Sequence, residues 1–158
     1  MAVQKPALEP STVPALCRSG YPEPYRSRVL PREKRRLGDA LGLTRIGINL
    51  THLPPGKESS MRHWHTHEDE FVYVLEGELV LRTGAGEQVL KAGMCCGFPA
   101  GSEDGHQLIN RGSAPAVYLE MSNRDPADTG QYSDAEVDLV WNPPQARGRF
   151  TRRDGSPY

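Results

Sequence analysis

Between residues 44 and 122 no apolar run continues for long before a glycine or proline interrupts it. TRIGINLTHL (44–53) alternates, with Ile46, Ile48 and Leu50 on one face, and PPG (54–56) turns the chain. SSMRHWHTH (59–67) can alternate again, and EFVYVLEG (70–77) is rich in β-branched and aromatic residues. ELVLRT (78–83), the turn GAGE (84–87), QVLKAG (88–93), MCCGFPAG (94–101), HQLINRG (106–112) and PAVYLEMS (115–122) follow. Short runs at this spacing predict seven or eight antiparallel strands, closed into a sandwich or barrel. No segment in the range keeps the 3.6-residue period of a helix. The 16 glycines, 14 prolines and 37% hydrophobic content suit a turn-rich all-β domain better than a helical bundle. A chain of 158 residues fits one domain with a proper core.

The flanks read differently. Residues 1–43 are expected to form an extended N-terminal arm and the first strand, residues 44–122 the barrel, and residues 123–158 a returning strand and tail. Six prolines (Pro6, Pro10, Pro14, Pro22, Pro24 and Pro31) make the arm extended rather than helical. Leu8, Val13, Leu16, Tyr21, Tyr25, Val29 and Leu30 are its apolar anchors. Such an arm lies along a sheet or across a dimer interface, and it predicts a homodimer. The tail offers VDLVW (137–141), a Pro-Pro break and RFTRRDGSPY.

Charge is unevenly placed although the net value is −1. Residues 1–45 hold nine Lys/Arg against four Asp/Glu, and residues 46–121 hold five against ten. The run RVLPREKRR belongs to no recognisable DNA-binding module, so no nucleic-acid partner is expected. Its charges are expected to be solvated, or paired on the protein's own domain or a partner subunit. No run approaches transmembrane length, and MAVQKPALEP lacks the apolar core of a leader, so no membrane is expected. Of the cysteines, the adjacent Cys95 and Cys96 make a poor disulfide pair, and with Cys17 they show no zinc-site spacing. A reducing, cytoplasmic setting is the expectation.

Three of the five histidines, His63, His65 and His67, fall within five residues. On a strand His63 and His65 project together, with Trp64 opposite. Two imidazoles placed this way can grip one metal ion. Glu70 opens the next strand after a short turn, and a carboxylate facing inward there is costly unless it is paired or ligates metal. His106, opening HQLIN on a separate strand, is the candidate fourth ligand. Three imidazoles and one carboxylate suit Mn, Fe, Ni, Co or Zn, and octahedral geometry leaves two positions open. His67 reads as an exposed turn residue, with replacement of His63 or a place behind the ligands as alternatives. His52 reads as structural, and one of Cys95 and Cys96 faces the interior as a small core residue. Tyr73, Tyr118 and Glu120 line either pocket or core, and Asn49 lies on the polar face of its strand.

These residues resemble the two metal motifs of the cupin superfamily. His63-Trp64-His65, four residues, Glu70, six residues and Gly77 resemble the first. Gly93, five residues, Pro99-Ala100-Gly101, then His106, three residues and Asn110 are similar to the second. Two departures stand out: Gly56 lies one residue further from His63 than usual, and SEDG (102–105) separates Gly101 from His106 where two residues are usual. Over LGDALGLTRIGINL, GHQLIN, PAVYLE and RFTRRDGSPY the chain resembles a group of bacterial single-domain cupins, some of which carry the name sugar-phosphate isomerase.

The resemblance implies an antiparallel jelly-roll β-barrel. It implies His63, His65, Glu70 and His106 as ligands of one divalent transition metal (Fe, Mn, Ni or Zn), with a small molecule as ligand or substrate. It further implies a metal-dependent enzyme of isomerase, lyase or dioxygenase type acting on an oxygen-rich molecule. Glu70 would then anchor charge, and Tyr73 or Tyr118 would move protons. The alternative is a non-catalytic metal- and ligand-binding sensor or storage module. A sugar-phosphate substrate would want a phosphate cradle. The barrel region has no Gly-rich phosphate loop and few cations, among them Arg45, Lys57, Arg62, Arg82 and Arg111.

Overall fold

The alternation in EFVYVLE decides the layering. Val72 and Val74 are buried, while Phe71, Tyr73 and Leu75, which alternate with them, are exposed. The computed structural model describes residues 6–143 and 149–158. Among these, the strands are β1 (Glu33–Arg36), β2 (Ile46–Leu53), β3 (His63–His65), β4 (Glu70–Glu76), β5 (Glu78–Thr83) and β6 (Gly86–Lys91). They continue as β7 (Cys95–Phe98), β8 (Gln107–Ile109), β9 (Ala116–Asn123), β10 (Gly130–Tyr132), β11 (Val140–Trp141) and β12 (Phe150–Thr151). Eight of them, β2 to β9, fall in the region read as barrel. The pairing is antiparallel throughout, in sheets ordered β1-β2-β9-β4-β7, β12-β11-β10-β3 and β6-β5-β8. This is the expected all-β jelly roll.

The main core lies between the inner faces of the five- and three-stranded sheets: Leu53, Val72, Val74, Leu79, Leu81, Leu90, Leu108, Ala116 and Tyr118. Burial of each large side chain there contributes about 1.5–3 kcal/mol. The turn from β4 to β5 requires Gly77, which has φ 76° and whose absent Cβ would lie 3.1 Å from Ala116 Cα and Pro115 O. Among the described residues no helix is long and apolar enough to cross a membrane.

The flanks depart from expectation. The arm is not simply extended: it holds a 3-10 turn (Pro10–Thr12), a short helix α1 (Tyr25–Val29), β1 and a second helical turn α2 (Leu37–Ala40). Tyr25 and Val29 are buried on one side of α1, which satisfies its apolar residues without extended pairing. They join Tyr21, Met61, Tyr132, Val137 and Leu139 in a second core. Residue 43 therefore marks no boundary in the packing, because β1 is hydrogen-bonded to β2 from Glu33↔His52 to Arg36↔Asn49. The arm's charges turn onto its own domain, with Arg28 paired to Glu58 at 2.9 Å and Lys34 paired to Glu120. The tail supplies three strands rather than one, and β10 pairs directly with β3.

Candidate metal centre

β3 places His63 and His65 on one face, as period-two alternation demands. Its partner β10 passes Gly130 opposite His65 and Tyr132 opposite His63. His106 reaches the same place by backbone pairing. His63 N–H donates to His106 O (3.1 Å), and His106 N–H donates to His63 O (2.8 Å). That mutual bridge fixes His106 despite the longer SEDG segment before it. Gly105 makes the approach possible, since a Cβ there would lie 2.1 Å from Ser133 Oγ and 3.2 Å from His63 N.

Glu70 opens β4 and turns Oε2 into the cluster. That oxygen lies 2.7 Å from His106 Nε2 and 3.7 Å from Nε2 of both His63 and His65. The opposite ring nitrogens of two histidines are held. His63 Nδ1–H donates to Met61 O at 2.9 Å, and His65 Nδ1–H donates to Asp128 Oδ2 at 2.5 Å. In those tautomers both Nε2 atoms offer lone pairs. The His106 ring stacks on Phe98, with centroids 3.5 Å apart and planes 3° apart. Glu70 Oε2 is buried and accepts no well-aligned hydrogen bond.

Imidazole nitrogens gathered around a buried carboxylate oxygen could hold a cation, and His63, Glu70 and His106 offer ligand atoms within 4.8 Å of one another. The donor set of imidazole nitrogen and carboxylate oxygen suits a divalent transition metal. Electrostatics agree. Burial alone would raise the Glu70 carboxyl, but His106 and the other two imidazoles outweigh it and hold it far below the usual carboxylate range. Burial, then His106, pushes His63 down to about 3. His65 differs: burial lowers it, but Asp128, Glu70 and Glu68 together outweigh burial and the net direction is upward.

Asp128 was not anticipated. It sits in the polar stretch NRDPADTGQ, which carries no signal of its role. It is fully buried. Besides His65 it accepts the backbone N–H of His67 (2.8 Å) and Glu68 (3.3 Å), so its oxygens are committed to positioning the turn and ring.

The remaining candidates divide clearly. Tyr118 lines the cavity and is fully buried, and burial raises its hydroxyl far above the ordinary phenol value. Thr51 is its polar neighbour, yet neither oxygen completes a hydrogen bond. Tyr73 is a correction. It is opposite in parity to Glu70 and Val72, lies on the outer face of β4 and is 38% exposed, so it does not reach the cluster. Glu120 lines the cavity, held by Lys34 and by the Asn49 side-chain amide at 3.0 Å. His67 is exposed, and His52 lies within β2. Cys96 packs against the core while Cys95 is exposed.

The cluster stands in a cavity of about 450 Å³ whose walls include Tyr21, Arg32, Tyr118, Tyr132, Trp141 and Phe150. Arg32, Lys34 and Arg36 also line it. They come from the arm, and the reading confined to the barrel region overlooked them. Their signal was present as R-x-K-x-R, three cations at strand spacing.

Comparison with known proteins follows the same lines. The chain matches the cupin domain family over residues 49–122. It is similar to a crystal structure from Silicibacter pomeroyi DSS-3 described as a sugar phosphate isomerase from a cupin superfamily. That likeness has 42% identity and a TM-score of 0.90, covering 97% of this chain and 96% of that one. A proposed sugar phosphate isomerase from Acidithiobacillus ferrooxidans is 29% identical, with TM-score 0.70 and 80% of each chain covered. The tetracenomycin polyketide synthase protein TcmJ of Streptomyces glaucescens is 31% identical over 98 residues, and the match spans 61% of this chain and 64% of that protein.

Proposed function

The chain belongs to the cupin superfamily, and on that footing we propose that it is a metal-dependent enzyme acting on a small, oxygen-rich molecule. One observation carries the reading: three imidazoles and Glu70 converge at the wall of a cavity large enough for a small substrate. His63, His65, His106 and Glu70 would hold one divalent transition metal, which as a Lewis acid polarises a bound carbonyl or hydroxyl oxygen. Tyr118, kept protonated by burial, would offer its O–H as a hydrogen-bond donor to a substrate oxygen. Tyr21, Tyr132 and Trp141 line the cavity with aromatic surface. The described activity of the Silicibacter relative favours isomerase chemistry over the lyase and dioxygenase classes.

The test begins with metal content, on protein purified without a nickel column, beside a His65→Ala variant. About one equivalent of Fe, Mn, Ni or Zn in the wild type and its loss in the variant are expected. Turnover of small aldoses, ketoses and their phosphates by the loaded protein should follow. Stoichiometric metal with tight ligand binding and no turnover would favour a sensor or storage module instead.

We further propose a homodimer in a reducing cytoplasm. The outer face of the main sheet supports the first: Tyr73 stands opposite Cys95 and Leu119, Leu119 opposite Leu50, and Phe71 opposite Met121, which stands opposite Ile48. The free state of Cys17, Cys95 and Cys96 supports the second. Arm cations that turn inward favour a small-molecule ligand over nucleic acid.

A further inference from the structure

Arg32 lies immediately before β1 and shares the inner face of that strand with Lys34 and Arg36, two and four residues on. The neighbours differ in how their charge is answered. Lys34 is paired to Glu120, and Arg36 lies 3.6 Å from Asp39 at the open end. Arg32 makes no ion pair among the described residues, although it is only 8% exposed. Its Nε is buried with no hydrogen-bond partner. Its field acts on another cation, Lys34, two residues on.

A guanidinium withdrawn from water without a counter-ion is expensive, and folds do not keep one unless something answers it. Arg32 borders the same cavity as His63, His65, Glu70 and His106. The charges of Arg32 and Glu70 both reach Tyr21 and Tyr118, so the two ends belong to one small compartment. The fork of five N–H donors fits a planar or tetrahedral oxyanion better than any neutral group.

We propose that Arg32 is the anion-binding residue of this site, and that the substrate carries a carboxylate or phosphate monoester at the end opposite its metal-facing oxygen. This rests on the metal-centre reading above for which end of the substrate reacts. The arm is then part of the binding machinery, because the other cation of the wall without an ion pair among the described residues, Arg149 of the tail, is exposed and lies over the Trp141 ring. Lys34 sits beside Arg32 with its charge committed to Glu120 and adds orientation rather than a second free charge.

The test compares metal-loaded wild type with Arg32→Met and Arg32→Lys. Inorganic phosphate and acetate are titrated separately by calorimetry, with glycerol as a neutral control. Whichever anion binds the wild type identifies the head group. Arg32→Met should weaken that anion about tenfold to a hundredfold. Arg32→Lys should recover part of the loss, since it keeps the charge without the fork. Metal content should stay unchanged, and free Arg32→Met should melt no lower than wild type, because an unanswered cation has been removed. Equal anion affinity in all three proteins would overturn the proposal, as would no binding of either anion by the wild type at millimolar concentration. A lower melting temperature in Arg32→Met would overturn it too, by making Arg32 structural. Should Arg32→Met fail to fold, that also counts as a structural role unless Arg32→Lys folds and loses anion affinity. A failure of the metal centre reads separately, as absent metal in the wild type or retained metal in His65→Ala.

Discussion

Asp128 and His65 stand sixty-three positions apart in sequence, yet Asp128 Oδ2 lies 2.5 Å from His65 Nδ1. The carboxylate decides which nitrogen of the ring carries the proton and where Nε2 points. Replacing it with alanine should leave all four proposed ligands in place and still lower metal affinity about tenfold to a hundredfold. Competition with a metal-sensing dye, for wild type and Asp128→Ala side by side, measures this. Equal affinities would show that the ring is oriented by something else.

Metal should also be visible in the melting curve. A ligand that binds only the folded chain adds about 2.7 kcal/mol at a hundred times its dissociation constant. Calorimetry with and without a chelator should therefore show a metal-dependent rise in Tm. The rise should vanish in Glu70→Gln and in His106→Ala, because each removes a group from the converging set.

Alkaline pH probes the second core and the cavity wall together. Burial raises the hydroxyls of Tyr21, Tyr118 and Tyr132 above the ordinary value of 10.0. The folded chain thus keeps protons that the unfolded chain releases. The resulting stabilisation is complete below about pH 10 and is lost as the pH rises towards the folded values. Lys34, lowered by burial, acts in the opposite direction as a single group. Tyrosinate absorbance should therefore rise in two stages, the later one coinciding with loss of circular dichroism. In Tyr118→Phe the later stage should shrink.

The adjacent cysteines should differ in reactivity. Burial, then the neighbouring Cys95, pushes the Cys96 thiol up to about 12, whereas Cys95 is exposed. Only the thiolate reacts. Mass spectrometry after brief iodoacetamide treatment at neutral pH should find Cys95 labelled and Cys96 untouched.

The apolar outer face gives a test of assembly. Tyr73 is 38% exposed at the centre of a row with Cys95, Leu119 and Leu50. Sedimentation should report a dimer for wild type and a monomer for Tyr73→Lys, with metal content unchanged. Loss of metal in that variant would instead return Tyr73 to the site.

Much of this was legible because strands expose their pattern. Alternation put His63 and His65 on one face, and turn residues delimited β2 to β9. Tyr73 was misread although period two already puts it on the face opposite Glu70, three residues earlier on the same strand. Asp128 was out of reach, since a loop aspartate is identified by the ring it touches and that ring is remote in sequence. The arm misled in another way. Its prolines correctly forbade a long helix, but Tyr25–Val29 needed only a single helical turn to bury two side chains. Arg32 was grouped with a surface charge run, because sequence shows the sign of a charge and not whether it is answered.

The pairing of β3 with β10 sets an order of events. A chain made from its N-terminus presents His63, His65, Glu70 and His106 before Asp128 and Gly130 have been added. Until then nothing holds the His65 ring to one tautomer, and a metal arriving early meets a floppy chelator that follows intrinsic metal affinities alone. Once β10 has closed over β3 the same four groups stand at fixed separations. A metal held there would then meet a preset geometry rather than a flexible chelator.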